Sequence, residues 1–362
     1  MKKRIRQTVA AAFTALALLG MSACSSSPAA QSSGAGTENS SSKPAESVTI
    51  SIGYQTVTAQ TWGALIVKNK RLFEEELSSE FPDVDFNIEW ENATSGPPLT
   101  NNMIAGKLQF AIMGDLPILV NGEKGQTEQN YDSVFIAFDG KGPSGKNQAL
   151  LVTAGSDIKS VEDLRGKEVS TPIGSSAHRL LQLILEKNGL LNDVTIVSQD
   201  VNVGLTNIEQ GKIAAHATWE PFPTLAVTTG IGEILVDGAE TGVDYLDGVV
   251  ADRNWVNAHP EYTNAFLKAL VKAHDFIKEN PEESTAIFAE ETGYSLEVSK
   301  AMVENIVFDT VIYDKNIETV RGDLDFAISV GNVTSLDLDK FIDDSYIRKA
   351  WAELGKQYPD TK

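Results

Sequence analysis

The chain states one local pattern twice. "MIAGKLQFAIMGD" (103–115) and "IEQGKIAAHATWE" (208–220) each run from a helix tail through Gly-Lys and an aliphatic residue into a short β-prone run, then into a loop with a carboxylate. Gly106 and Gly211 lie 105 residues apart, well beyond the period of about 20–50 residues that marks a solenoid. The spacing suits two similar lobes, each presenting a loop at a strand end. A length of 362 residues accommodates about two domains of common size.

The intervening sequence alternates strand and helix signals. "VTISIGY" (48–54) is β-prone and precedes a segment in which Trp62, Leu65, Ile66, Leu72 and Phe73 approximate one helical face. "DFNIEW" (85–90) alternates as a half-buried strand does, and "SGPPLTNNMIAGK" opens with the helix-start residues Ser95 and Pro97 and closes at Gly106. The second half repeats the order. "GKEVSTPIG" (166–174) reads as a strand, and "SSAHRLLQLILEKNG" (175–189) as a helix capped by Ser175 or Ser176 and ended by Gly189. Strand "VTIVSQ", helix "VGLTNIEQG" and strand "KIAAHAT" follow, then the β-prone "GVVADRNWV" (248–256) and a helix over "PEYTNAFLKALVKAHDFIKEN". This is α/β grammar.

The N-terminus is a targeting segment. Lys2, Lys3, Arg4 and Arg6 precede an apolar run from Val9 to Met21, with Ser22 and Ala23 before Cys24, the only cysteine. The run is too short for a comfortable membrane span. "MSAC" resembles a bacterial lipobox, with Met21 in place of the usual Leu, which implies that Cys24 carries lipid. The expected organisation is a signal peptide at 1–23 and a Ser-, Gly- and Pro-rich flexible tether at 24–47. Lobe one then takes 48–147, lobe two 148–250, and 251–362 return to lobe one. A formal net charge of −20 argues against nucleic acid, whose phosphates need clustered Lys and Arg.

Two α/β lobes joined by extended crossings near 147–153 and 248–255 would enclose a cleft lined by strand ends and helix starts, where open α/β sheets bind ligands. Helix starts carry unpaired N–H groups and the positive end of the dipole, so the cleft suits a small anion.

"SIGYQT", "SGPPLTNNMIAGKLQFAIMGD", "DLRGKEVSTPIGSSAHRLLQLILEKNGL", "IEQGKIAAHATWEPFP" and "NPEESTAIFAEETGYS" resemble the substrate-binding proteins of ABC importers in the nitrate, sulfonate, taurine and bicarbonate family. The likeness is collinear over most of 48–350. It implies a type II periplasmic-binding-protein fold, two lobes on a two-stranded hinge, working as a monomer with an ABC permease.

The resemblance places ligand contacts at Gln55 and Thr56. Trp62 stands one turn further on, as a cleft wall or an inward core residue. Ser95, Gly96 and Pro97 form the first candidate anion site, as a ligand-facing or an ordinary capped helix start. Ser175, Ser176, Ala177 and His178 form the second, with His178 as a donor or a plain helix-surface histidine. Gly114 and Asp115, with Trp219 and Glu220, occupy the twin loops; the acids would accept from a cationic or hydroxyl end of the ligand, as in taurine, or fix a neighbouring donor, or be exposed loop acids, while Trp219 would wall an alkyl chain.

A biosynthetic enzyme on the same fold is the reading of a different class. The body offers no cysteine, no HExxH and no phosphate loop, and its four histidines make no recognisable pair with a nucleophile. The acidic runs "EEEL" (74–77) and "DDSY" (343–346) lack metal-ligand spacing, and neither metal nor cofactor is expected. The expectation is therefore a lipid-anchored extracytoplasmic binding protein for a small oxyanion, an aliphatic sulfonate or taurine, with nitrate, bicarbonate or a thiamin-pyrimidine-like precursor as alternatives.

Overall fold

The computed structural model describes residues 46–361. The expected signal peptide, Cys24 and the tether up to Ala45 lie outside the described residues. The strands are β1 (Glu46–Tyr54), β2 (Val84–Asn92), β3 (Phe110–Gly114), β4 (Ser133–Gly142), β5 (Gln148–Thr153) and β6 (Glu168–Thr171). They continue with β7 (Thr195–Ser198), β8 (Ala215–Trp219), β9 (Gly232–Asp237), β10 (Tyr245–Asp252) and β11 (Val307–Phe308). Two sheets result, ordered β11-β4-β10-β3-β1-β2 and β7-β6-β8-β5-β9. The mixed α/β architecture with two sheets is the fold class expected.

The two sheets share a plan. In the first, β1 pairs in parallel with β2 and β3, and β3 then meets the antiparallel β10. In the second, β6 pairs in parallel with β7 and β8, and β8 meets the antiparallel β5. The twin stretches therefore carry equivalent strands, β3 and β8. Each follows a helix, Gly96–Ile104 or Val201–Glu209, that ends just before a left-handed glycine, Gly106 (φ 70°) or Gly211 (φ 62°). Edge strand β2 keeps its alternating burial, whereas β3 and β4 are buried along their whole length because helices cover both faces.

Packing follows the same division. Ile50, Ile52, Leu65, Phe110, Ile112 and Phe266 anchor the first core. Leu150, Val152, Leu181 and Ala215 fill one side of the second sheet, and Leu151, Val201, Leu205 and Phe222 the other. Each of these Val, Leu, Ile and Phe side chains contributes about 1.5–3 kcal/mol when fully buried. The long helix Pro260–Glu279 packs on helices Gly63–Asn69 and Leu72–Glu80, and Phe288, Met302, Ala327, Phe341 and Ile347 join the same core. Among the described residues no helix is long and apolar enough to cross a membrane.

Three expectations are corrected. The extended crossings expected near 147–153 and 248–255 are instead the buried strand β5 and the end of β10 with the helix after it; the chain passes between sheets at 143–147 and 238–244, through two short helical turns that pack on each other. The β-prone reading of 248–256 holds only to Asp252, whose carboxylate accepts from the Asn254 and Trp255 N–H groups and starts helix Arg253–Ala258. Asp115, expected in a loop, is the first residue of helix Asp115–Thr127.

Candidate functional site

The carboxyl ends of β1, β2 and β3 face those of β6, β7 and β8 across a cavity of about 380 Å³. Gln55 and Thr58 follow β1, Thr94 to Pro97 and Thr100 follow β2, and Gly114 and Pro117 follow β3. From the second lobe come Pro172 to Ser176 after β6, Asp200 and Val201 after β7, and Trp219 at the end of β8. Val120, Tyr245 of β10 and Asn332 complete the wall. The lobes touch around it. Trp219 Nε1 donates to the Val57 carbonyl at 3.0 Å, the Ala59 N–H to the Glu220 carbonyl at 3.0 Å, and the Ser176 hydroxyl to the Asp115 carboxylate.

The donors that face the cavity follow from local sequence. In helix Gly96–Ile104, Pro97 and Pro98 have no N–H, so Ser95 finds no donor to cap. The N–H groups of Ser95 and Gly96 and the Ser95 hydroxyl are what this end offers; two prolines remove donors that the first turn was expected to supply. Gly96 is obligatory here, since a Cβ would stand 2.3 Å from Pro117 Cβ. In helix Ser176–Lys187 the Ser175 hydroxyl caps the His178 N–H, which leaves the N–H groups of Ser176 and Ala177 without a partner inside the helix. Gln55, only 4 % exposed, lines the cavity.

Of the residues named from the sequence, Gln55, Ser95, Gly96, Pro97, Gly114, Ser175, Ser176 and Trp219 come together on the cavity wall. Six do not. Thr56 is held in the first lobe by Asn92, which accepts from its N–H at 3.0 Å. Trp62 is a core residue, packed on Phe288 and Tyr294 with its Nε1 bonded to the Thr56 carbonyl. The Ala177 side chain is buried in the second core. The His178 ring packs edge-on against Phe326, its Nδ1 accepts from the Gly174 N–H at 3.2 Å, and burial lowers its pKa, so it braces the 172–175 loop as a neutral imidazole.

The two acids also leave the cavity. Glu220 turns back on its own helix, Phe222–Thr228, accepting from the Thr224 N–H at 3.1 Å and hydroxyl at 2.9 Å, and burial pushes its carboxyl up to about 7. Asp115 lies behind the wall, where it accepts from the Leu116 N–H at 2.7 Å and from Ser176, and burial pushes it up to about 6. A side chain one residue past a strand end is free to turn either way, and each of these found donors away from the cavity.

Asp200 and Val201 were missed, although the repeat holds a signal for them: they start the helix after β7 as Ser95 and Gly96 start the helix after β2. Asp200 caps its own helix at the Asn202 N–H, 3.0 Å away. It is the sole charged side chain on the wall, which includes no Lys, Arg or His. Tyr245 and Asn332 carry no signal in the sequence, because only the return of the chain to the first lobe brings them there. A serine–histidine pair also escaped the sequence reading: Ser170 Oγ lies 2.9 Å from His216 Nδ1. Both residues are sealed at 0 % exposure, and burial holds His216 down at about 4. Among the described residues no group of three or more His, Cys, Asp or Glu could hold a metal ion.

Comparison with known proteins bears out the resemblance read from the sequence. Residues 143–284 match the family described as NMT1/THI5 like. A relative from Bacillus subtilis (strain 168), provisionally named an aliphatic sulfonates-binding protein, is 27% identical over 80% of this chain and 85% of its own. Among solved structures, the alkanesulfonate-binding protein SsuA from Xanthomonas axonopodis pv. citri, bound to MOPS, is similar at a TM-score of 0.68 and 21% identity, covering 84% of this chain and 100% of its own. The desulfurization enzyme DszB shares the fold at a TM-score of 0.60 and 13% identity, over 84% of this chain and 99% of its own. The sequence relatives that match are binding proteins, while the fold itself hosts both binding and catalysis.

Proposed function

We propose that this chain is the substrate-binding lipoprotein of an ABC importer, anchored through Cys24 on the outer face of the cell membrane, and that it captures an organosulfonate between its lobes for delivery to the permease. The observation that carries this reading is a cavity with neutral hydrogen-bond donors from both lobes and an apolar remainder. Ser95 and Gly96 on one side, Ser176 on the other and Gln55 suit an acceptor-only group that spreads one negative charge over several oxygens. Val120, Pro117, Ile173, Val201 and Trp219 suit a carbon tail, which nitrate and bicarbonate lack. The names of the relatives point to the same ligand class.

An aliphatic sulfonate fits this wall better than taurine. Asp115 and Glu220 lie outside the cavity, so an ammonium end would meet a single carboxylate there, Asp200, whose Oδ1 already caps its own helix. Catalysis is the weaker reading, because the Ser170–His216 pair is sealed from the cavity. Ligand that contacts both lobes favours the closed state. Isothermal titration with 1-butanesulfonate, taurine and nitrate tests the assignment: butanesulfonate should bind tightest and return unchanged from the protein. Preferential binding of nitrate, or recovery of a converted product, would overturn it.

A further inference from the structure

Behind the cavity wall the lobes meet at a second, closed point. Arg179 lies one turn into helix Ser176–Lys187 of the second lobe, and its guanidinium donates to Asp323, on helix Asp314–Ser329 of the first lobe. Asp323 is 1 % exposed. The approach depends on Gly322, where a Cβ would stand 2.7 Å from Arg179 Nη2. Asp115 lines the same small void and holds the Ser176 hydroxyl. One helix of the second lobe thus gives its first residue to both the cavity and Asp115, and its fourth to Asp323.

We propose that Arg179, Asp323 and Asp115 are positioning residues for ligand capture: their buried interlobe cluster forms when the lobes close and holds the Ser176 helix start against the ligand. The inference rests on the binding function proposed above. It follows from charge and burial. An ion pair sealed between lobes exists only while they are together, and opening returns each group to water. Arg179 bonds Asp323 alone and shares the void with Asp115, and Asp323 keeps one oxygen, Oδ2, without a partner. The groups around them add no positive charge: Asp244 lines the void, occupied by the Ser144 N–H and the Asn316 amide, and Tyr245 and Asp247 of β10 stand near Asp115. The carboxylates around Arg179 therefore outnumber it on closing, and burial raises both Asp115 and Asp323.

The sign follows. In the open protein these carboxylates titrate near the ordinary value of about 3.9, and in the closed protein higher. Closure takes up a proton, so it is favoured at low pH and weakens as pH rises toward the closed-state values. A sulfonate stays ionised throughout this range, so the dependence belongs to the protein.

The test uses full-length chain with Cys24→Ser and spin labels at Lys107→Cys and Lys212→Cys, exposed positions on opposite lobes. Interlobe distances and dissociation of 1-butanesulfonate are measured at pH 5 and pH 8. The parent should hold more of the short distance, and release ligand about tenfold more slowly, at pH 5. Asp115→Asn should flatten that pH dependence. Arg179→Met should lengthen the distance at both pH values, and Arg179→Lys should restore part of it; circular dichroism shows that each variant is folded. Unchanged distances in Arg179→Met, or an unchanged pH dependence in Asp115→Asn, would overturn the proposal. If butanesulfonate fails to bind while the distances respond as expected, the ligand assignment falls and the latch stands.

Discussion

The two lobes solve one problem with different donors. In the first, the helix start at Ser95–Pro98 is stripped of N–H groups by two prolines, keeps its serine hydroxyl uncommitted and is pressed against Pro117 through Gly96. In the second, Ser175 is consumed as a cap, the backbone N–H groups of Ser176 and Ala177 remain, and the Ser176 hydroxyl reaches across to Asp115. The first end is rigid and poor in donors, the second rich in donors and tied to the opposite lobe. The twin strand ends diverge in the same way, since the Asp115 carboxylate serves the interface and the Glu220 carboxylate only its own helix. Equivalent topology fixes where a group starts, and its nearest available partner decides what it does.

The largest expected effect breaks the rigid side. Gly96→Val would drive a branched side chain into the Pro117 ring and should destabilise the protein by about 3 kcal/mol, at the upper end for overpacking; the equivalent Val201 is already valine in the second lobe. Thermal unfolding would measure this, and a melting temperature equal to wild type would remove the claim that Gly96 is sterically required. Glu220→Gln should next show that this acid is structural. Burial raises its folded pKa to about 7, above an unfolded value of about 4.3, so its contribution is fully present below the unfolded value and is lost as pH rises through 7. The variant should match wild type near pH 4 and become the more stable of the two as pH rises through 7, with its affinities for taurine and for ethanesulfonate both unchanged from wild type. A selective loss of taurine would return Glu220 to the cavity.

Ser176→Ala strips Asp115 of its hydroxyl donor while leaving the helix N–H groups. Ligand affinity should fall by about 1–2 kcal/mol, seen by titration as faster dissociation of any anionic ligand. Ser95→Ala should have the smallest effect, about 0.5–1.5 kcal/mol in affinity with no change in melting temperature, because this serine caps nothing. If Ser95→Ala instead lowered stability as a lost cap does, the contrast between the two helix starts would fail.

The alternating grammar made the two-sheet α/β plan legible, and "DFNIEW" and the Gly106 and Gly211 helix ends fell where periodicity and terminators put them. β4 went unread because a strand buried on both faces loses the alternation that marks it. Within the site, glycine and serine at helix starts were readable because local backbone chemistry selects them. Trp62 stayed open between wall and core, and His178 and Glu220 were misplaced, because their rotamers answer to Phe288, Phe326 and Thr224, none of which is signalled in the motif itself.

The sequence alone determined that the chain repeats a strand–helix unit and that helix starts with backbone donors follow its strands, because backbone hydrogen bonding and capping act over a few residues. The tertiary structure decided which of those donors meet, that Asn332 and Tyr245 close the same wall and that Arg179 finds Asp323 144 residues away. Such contacts depend on how two lobes and a returning chain pack, and no local pattern encodes that geometry.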